Sequence, residues 1–383
     1  MQRVYLDNAA STPMDPAVFE HMKPYLLAGA GNPSSTHAHG RELRNTIEQA
    51  RRTIAKHLGA NPLEIYFTSG GTEADNMVIF GAVEGLEVKH IISTRIEHHA
   101  VTHPLEHLES TGQARITWLE VNQEGHIDLN ELETALQTAD KTLVCLMHGN
   151  NEIGTLHPIA EIGQLCRQHG AYFHSDTVQS IGTQEINVQE IEVDFMAASA
   201  HKFYGPKGVG FLYMRKGIRL PALIQGGAQE RGLRAGTENP ASIAGMAFAF
   251  DRCVTHRVDK VAHLVGLKEY MRGQLLMHFP GVQFNGDQDP SRCLPTVLNV
   301  TLPCDDKDCM LLFSLDLAGV SASGGSACSS GAVQGSHVLT GIGANQNTLK
   351  NAIRFSFGMQ NTRADIDFAI QALKDLVPQQ VLS

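Results

Sequence analysis

Asp194-Phe-Met-Ala-Ala-Ser-Ala-His201-Lys202-Phe-Tyr-Gly-Pro-Lys-Gly-Val-Gly210 is an apolar run that delivers a lysine into a glycine-rich turn. It predicts a strand over 195–198, a turn, and a second strand over 209–214. Upstream, Ala171-Tyr-Phe-His174-Ser-Asp176-Thr-Val-Gln179 reads as another short apolar strand, over 171–175, followed at once by a carboxylate. Similar runs at 65–68, 90–94, 116–120 and 143–147 alternate with helical patterns. That alternation predicts an α/β fold with a mostly parallel central sheet flanked by helices. Strand ends in such a sheet open on one crevice, so Lys202 and Asp176 are expected to meet there.

An amine and an anion so placed suit pyridoxal phosphate, which needs a lysine for its Schiff base and a carboxylate for its pyridinium nitrogen. Each piece alone has an ordinary reading: a solvated lysine, an aspartate in a turn or at a helix cap. The tail Gly205-Pro-Lys-Gly208-Val-Gly210 has some likeness to a nucleotide-phosphate loop. It lacks the Gly-Lys-Ser/Thr ending of a P-loop and leads into the strand-like Phe211-Leu-Tyr-Met, which argues against ATP.

The chain of 383 residues is 42% hydrophobic, enough for a large core and for two domains. A net charge of -10 disfavours nucleic acid as a primary partner. The run Met310-Leu-Leu-Phe-Ser-Leu is stopped by Asp316, far short of a membrane span. The start, Met1-Gln-Arg-Val-Tyr-Leu-Asp7, has no apolar signal core, and a cytoplasmic location is expected. Seven scattered cysteines, at 145, 166, 253, 293, 304, 309 and 328, fit reduced thiols better than a disulfide framework. Cys304 and Cys309 bracket three aspartates, but their spacing matches no zinc motif and reads as a polar loop.

Leu43, Ile47, Ala50, Ile54 and Leu58 recur at helical spacing and are closed by Gly59, predicting a helix packed on the sheet or the domain junction. After a glycine-rich stretch, 226–239, comes an alanine-rich helix over 241–250. A second unit then carries strand-like runs at 296–302 and 352–357, the apolar run 310–317 and a terminal helix over 363–376. The expected division is a large domain, 15–250, and a small one joining 1–14 to 251–383.

Ser69-Gly70-Gly71-Thr72-Glu73 follows a strand and opens a helix, so free amides converge where a phosphate could sit, with Ser199 and His201 nearby. Glu97-His98-His99 follows the strand 90–94 and places His98 at the same crevice, where an imidazole can stack on a flat ring and move protons. His99, His103 and His107 share a helical spacing that a metal could use; Pro104 among them and the lack of a carboxylate motif favour a solvated face. Ser321-Ala-Ser-Gly-Gly-Ser326-Ala-Cys328-Ser-Ser-Gly331 surrounds one thiol with small residues, which suits a cysteine that moves to a substrate. A buried inert thiol is the plain alternative, and no adjoining Lys or Arg lowers its pKa.

Ten segments in order resemble the cysteine desulfurases of the IscS/NifS group, within the class V aminotransferase-like, fold-type I pyridoxal phosphate enzymes. Among them are Tyr5-Leu-Asp-Asn8, Thr68-Ser-Gly-Gly-Thr-Glu73, Glu97-His98, His148-Gly-Asn-Asn151, His174-Ser-Asp176, Ser199-Ala-His-Lys202, Arg234-Ala-Gly-Thr237, Gly325-Ser-Ala-Cys328 and Ile353-Arg-Phe-Ser-Phe-Gly358. The resemblance runs almost end to end. It implies that Lys202 carries pyridoxal 5'-phosphate, that Asp176 meets the pyridine nitrogen and that Gln179 meets the ring hydroxyl. His98 would stack on the ring; Gly71, Thr72, Ser199 and His201 would hold the phosphate, with Thr237 reaching it across a homodimer interface. Asn151 and Arg354 would clamp the carboxylate of L-cysteine, and Cys328 would take its sulfur as a persulfide for an acceptor protein, an iron–sulfur scaffold or a sulfur relay. A selenocysteine lyase is the rival enzyme reading. Gly226-Gly-Ala-Gln and Gly358-Met-Gln-Asn depart from the family's usual residues, which leaves the subgroup and the acceptor open.

Overall fold

The computed structural model describes residues 3–28, 30–304, 311–324 and 335–377. Among them, seven strands form a central sheet in the order Ile65–Thr68, Gly210–Met214, Phe195–Ser199, Tyr172–Asp176, Thr142–Cys145, His90–Thr94, Arg115–Leu119. Gly210–Met214 runs antiparallel to both neighbours and every other pair is parallel. Six strands therefore point the same way, as the alternating sequence pattern requires. The exception follows from the turn after Lys202: a hairpin return pairs Ser199 with Gly210. Gly208 adopts a φ of 76° within that turn, a conformation costly for a side chain with a Cβ.

Four of these strands, including both that flank the lysine turn, are buried at every residue. Both sheet faces are covered, which is why they read as continuous apolar runs and not as alternation. On one face Phe173, Met196 and Phe211 join Ile47, Ile54, Met246 and Phe250; on the other, Phe195, Ala197 and Leu212 join Ala74, Met77 and Val78. Each of these side chains larger than alanine contributes about 1.5–3 kcal/mol of burial free energy. The helix predicted from Leu43 onward spans Ala38–Leu58 and ends where Gly59 turns left-handed at φ 66°. Its apolar stripe packs largely on Pro240–Thr255, a helix longer at both ends than its alanine-rich centre suggested.

A separate core joins the start of the chain to its last third. Val4 and Leu6 pack with Leu264, Met271, Val300, Phe355, Ile366 and Leu373. Val4–Tyr5 pairs in parallel with Val320–Ser321, and Ser356 N donates to Leu6 O at 2.7 Å. Val297–Thr301 lies between Gln283–Asn285 and Ala352–Ser356 in an antiparallel sheet. The apolar run near 310 forms the helix Leu311–Leu317 and the terminal helix spans Arg363–Leu376.

Pro104 does not interrupt its helix, which runs His99–Ser110. A proline there cannot donate to the carbonyl one turn back, Ala100 O, and Asn76 Nδ2 does so instead at 3.2 Å. Cys145, Cys166, Cys253, Cys293 and Cys304 are free thiols. Cys309 and Cys328 lie outside the described residues, as do the three aspartates between Cys304 and Cys309. No helix among the described residues is long and apolar enough to cross a membrane.

Candidate active site

The strand ends meet as expected. A cavity of about 260 Å³ is lined by Gly71, Thr72, His98, Asn151, Asp176, Gln179, Ser199, His201, Lys202 and Arg354, every predicted site residue among the described ones but Thr237. Thr237 is exposed and does not line it. A larger hollow of about 500 Å³, beside Trp118 and His103, shares His99 and His337 with it. The smaller cavity holds the convergent amine, carboxylates and imidazoles, so the chemistry is assigned there.

Lys202 Nζ donates to Ala9 O at 2.5 Å and to Ala10 O at 3.0 Å, so the amine rests on the chain's first turn and not in open solvent. Gln179 Nε2 reaches the same Ala9 carbonyl at 2.9 Å. Asp176 accepts from Val178 N at 2.9 Å, and burial, reinforced by Asp75, pushes its carboxyl up to about 7. A cationic ring nitrogen facing this carboxylate would reverse much of that cost.

His98 caps the helix His99–Ser110, its Nδ1 accepting from Ala100 N at 3.1 Å. Burial, then the neighbouring Lys202, holds the imidazole down at about 4. The ring is therefore neutral near pH 7, and because Nδ1 accepts, its proton sits on Nε2. His201 is likewise held near 4 by burial and Lys202, with Nδ1 3.2 Å from Ser11 Oγ. Neutral rings at both positions leave Lys202 as a charged neighbour without adding repulsion.

The strand-to-helix turn beside the cavity leaves backbone amides free. Helix Gly71–Gly85 starts without a side-chain cap on Gly70, so its first amides remain for a ligand. A Cβ at Gly210 would fall 2.3 Å from Ala198 O and 2.7 Å from Gly70 Cα, so glycine is what lets the returning strand reach the loop. On the opposite wall Arg354, 2% exposed, donates from Nη1 to Asn151 O and from Nη2 to Asp7 Oδ1, each at 2.8 Å. Arg354 Nε and Asn151 Oδ1 are buried and have no hydrogen-bond partner among the described residues. Unsatisfied buried polar atoms on a cavity wall fit a polar ligand. The residues present thus suit a phosphorylated, flat, cationic ring and an amino-acid carboxylate.

The expected solvated histidine face is only half right: His103 and His107 are exposed, but His99 lines the cavity. Its ring stacks on His103 at 4.5 Å and lies 4.2 Å from His337, planes side by side and not nitrogens converging on a point. Among the described residues the grouping with ligand spacing is elsewhere: Glu124, His126 and Asp287. There Asp287 is already engaged by His126 at 2.7 Å and Arg292 at 3.0 Å.

Sequence reasoning missed three contributions: the Ala9 and Ala10 carbonyls, Asp7 against Arg354, and Asp75 against His174. Asp7 falls within the segment Tyr5-Leu-Asp-Asn8, and Ala9, Ala10 and Asp75 follow shortly after quoted segments, but nothing local tells which groups they meet.

The chain matches the model of the family described as aminotransferase class-V over residues 4–368. It is 44% identical over 378 residues to a cysteine desulfurase IscS of Dictyoglomus turgidum, covering 98% of this chain and 95% of that protein. A putative cysteine desulfurase IscS 1 of Bacillus subtilis is 44% identical over 380 residues, covering 98% and 99%. Among solved structures, a NifS-like protein superposes with a TM-score of 0.90 at 34% identity over 98% of this chain and 99% of its own. SspA in complex with cysteine superposes with a TM-score of 0.81 at 34% identity, covering 92% and 98%. With the family model spanning nearly all of the sequence and relatives aligned from end to end, this chain belongs to the class-V aminotransferase family, in its IscS/NifS cysteine desulfurase branch.

Proposed function

We propose that this enzyme converts L-cysteine to L-alanine and takes the sulfur onto Cys328 as a persulfide. The observation that carries the reading is the meeting of Lys202, Asp176 and His98 in one cavity faced by Arg354. Relatives named cysteine desulfurases and a solved neighbour that holds cysteine support it. When bound, pyridoxal phosphate supplies an electron sink that lets the amino-acid Cα lose its proton.

The chain's own residues do the rest. Gly71, Thr72, Ser199 and His201 hold the phosphate, Asp176 and Gln179 orient the ring, and Lys202 anchors the cofactor and moves the Cα proton. His98 would face the ring, its proton held at Nε2 because Nδ1 accepts from Ala100 N. Arg354 and Asn151 bind the substrate carboxylate, the guanidinium offering a fixed fork of donors. The Cys328 thiolate attacks the substrate sulfur; the S–S bond forms as the C–S bond breaks, and the electron pair left on carbon is protonated to give alanine.

The division into a large domain, 15–250, and a small one, 1–14 with 251–383, fits the separate core shared by Val4, Leu6 and the last third of the chain. A homodimer agrees with the exposed Thr237 and with exposed Phe19, Leu26 and Leu27 on helix Pro16–Ala28. Free thiols fit the cytoplasm, and the IscS names of the relatives favour a sulfur-acceptor protein in iron–sulfur assembly or a sulfur relay. Incubating the purified protein with pyridoxal phosphate, L-cysteine and a reductant should release alanine and sulfide in equal amounts. Failure to form alanine overturns the reading.

A further inference from the structure

Beneath the cavity, on the sheet face covered by helix Gly71–Gly85, lies a charge arrangement that the reaction scheme does not use. His174 and Asp176 are two residues apart on one strand and so share a face. Asp75, from the first turns of the helix, lies across from them, and His174 Nε2 is 3.0 Å from Asp75 Oδ1. The two side chains are 0% and 1% exposed. Asp75 also lines the cavity. The titratable groups facing Asp176 are Asp75, His174, Lys202 and Glu97. A bare Asp75 carboxylate would raise the Asp176 carboxyl, and a charged His174 would lower it. In so dry a place separate charges on all three are costly.

We propose that Asp75 and His174 form a net-neutral pair sharing one proton, so that Asp176 is left to carry the negative charge that meets a pyridinium nitrogen. They are positioning residues, acting through Asp176. The inference rests on the reading that this cavity binds pyridoxal phosphate. It makes the floor insensitive to which of the two partners holds the proton, since an ionised pair and a neutral pair have the same net charge.

The test is the pH dependence of pyridoxal phosphate binding to the apo-protein, followed by absorbance, in the wild type, H174Q, D75N and the double variant. Binding that needs ionised Asp176 is lost as pH falls through its midpoint. H174Q removes the proton-sharing partner and exposes Asp176 to Asp75, so the midpoint should rise by about one pH unit, about tenfold in proton affinity. D75N replaces a neutral pair by a neutral pair and should leave the midpoint in place. D75N/H174Q has no charge left at position 75 and should return the midpoint to that of the wild type. A pair that only packs would weaken binding alike at every pH. An unmoved midpoint in H174Q, a double variant that stays shifted, or a midpoint lowered in D75N overturns the proposal. If circular dichroism shows H174Q unfolded, D75N decides alone: an unmoved midpoint supports the neutral pair, and a lowered one shows that Asp75 carried free charge. A wild type that binds no pyridoxal phosphate at any pH is a different result, which removes the cofactor reading and this inference with it.

Discussion

Arg354 Nη2 donates to Asp7 Oδ1 at 2.8 Å, joining residues 347 positions apart, the arginine on the cavity wall and the aspartate behind it in the first turn of the chain's start. The arginine lies on a strand buried at every residue, where a lone guanidinium would be costly, and Asp7 is the anion that meets it. Part of the fork is thereby fixed by the chain itself, while Nε has no hydrogen-bond partner among the described residues.

Replacing Arg354 by lysine keeps the charge but loses the planar fork that both holds Asp7 and offers donors to a carboxylate. The expected result is a weaker apparent affinity for L-cysteine, by about 1–3 kcal/mol, with the fold retained. Steady-state kinetics check it; unchanged KM and kcat would show that Arg354 binds no substrate.

Lys202→Ala removes a half-buried, cavity-lining amine that donates to the Ala9 and Ala10 carbonyls. The variant should fold, lose the visible absorbance of the loaded enzyme and produce no alanine. Turnover near the wild-type rate would remove Lys202 from the scheme.

Cys328→Ser leaves the cavity residues untouched and substitutes a hydroxyl that does not attack sulfur at neutral pH. The variant should bind pyridoxal phosphate and respond spectrally to cysteine, yet release no alanine. Mass spectrometry of the wild type after brief exposure to cysteine should place one added sulfur atom on the peptide bearing Cys328. Sulfur on Cys145 or Cys304 instead, or a fully active serine variant, would reject the nucleophile assignment and revive the selenocysteine-lyase rival.

Away from the chemistry, Arg51 and Glu230 form a two-point ion pair, both contacts 2.9 Å, with side chains 3% and 2% exposed. Glu230 also accepts from Phe67 N at 2.9 Å, tying the polar stretch after 226 to the edge strand of the sheet. Glu230→Ala leaves the arginine charge buried against the Ile65 carbonyl and the Phe67 ring, with the partly exposed Glu48 as its remaining carboxylate among the described residues. Denaturant unfolding should show a loss of about 3–5 kcal/mol, with the cavity chemistry preserved in the folded fraction. A loss within experimental error would mean that water reaches Arg51 in the variant.

Much of this protein is written locally. The strand runs around Phe195 and Phe173, the helix stripe from Leu43 to Leu58 with its Gly59 stop, and the placing of Lys202 and Asp176 at strand ends all follow from short-range pattern. Apolar periodicity, turn glycines and caps act over a few residues, so the chain order displays them. The family motifs likewise carry most of the cavity lining.

Tertiary structure alone decided which groups satisfy one another. The Lys202 amine rests on Ala9 and Ala10, Arg354 on Asp7, His174 on Asp75, and the carbonyl orphaned by Pro104 on Asn76. Thr237, placed at a phosphate by resemblance, is exposed in the single chain and does not line the cavity. These pairings join residues far apart in sequence and leave no periodic trace. They arise because a buried polar group must find a partner somewhere in the closed fold, and only the packing of sheet, helices and the returning N-terminal segment determines where.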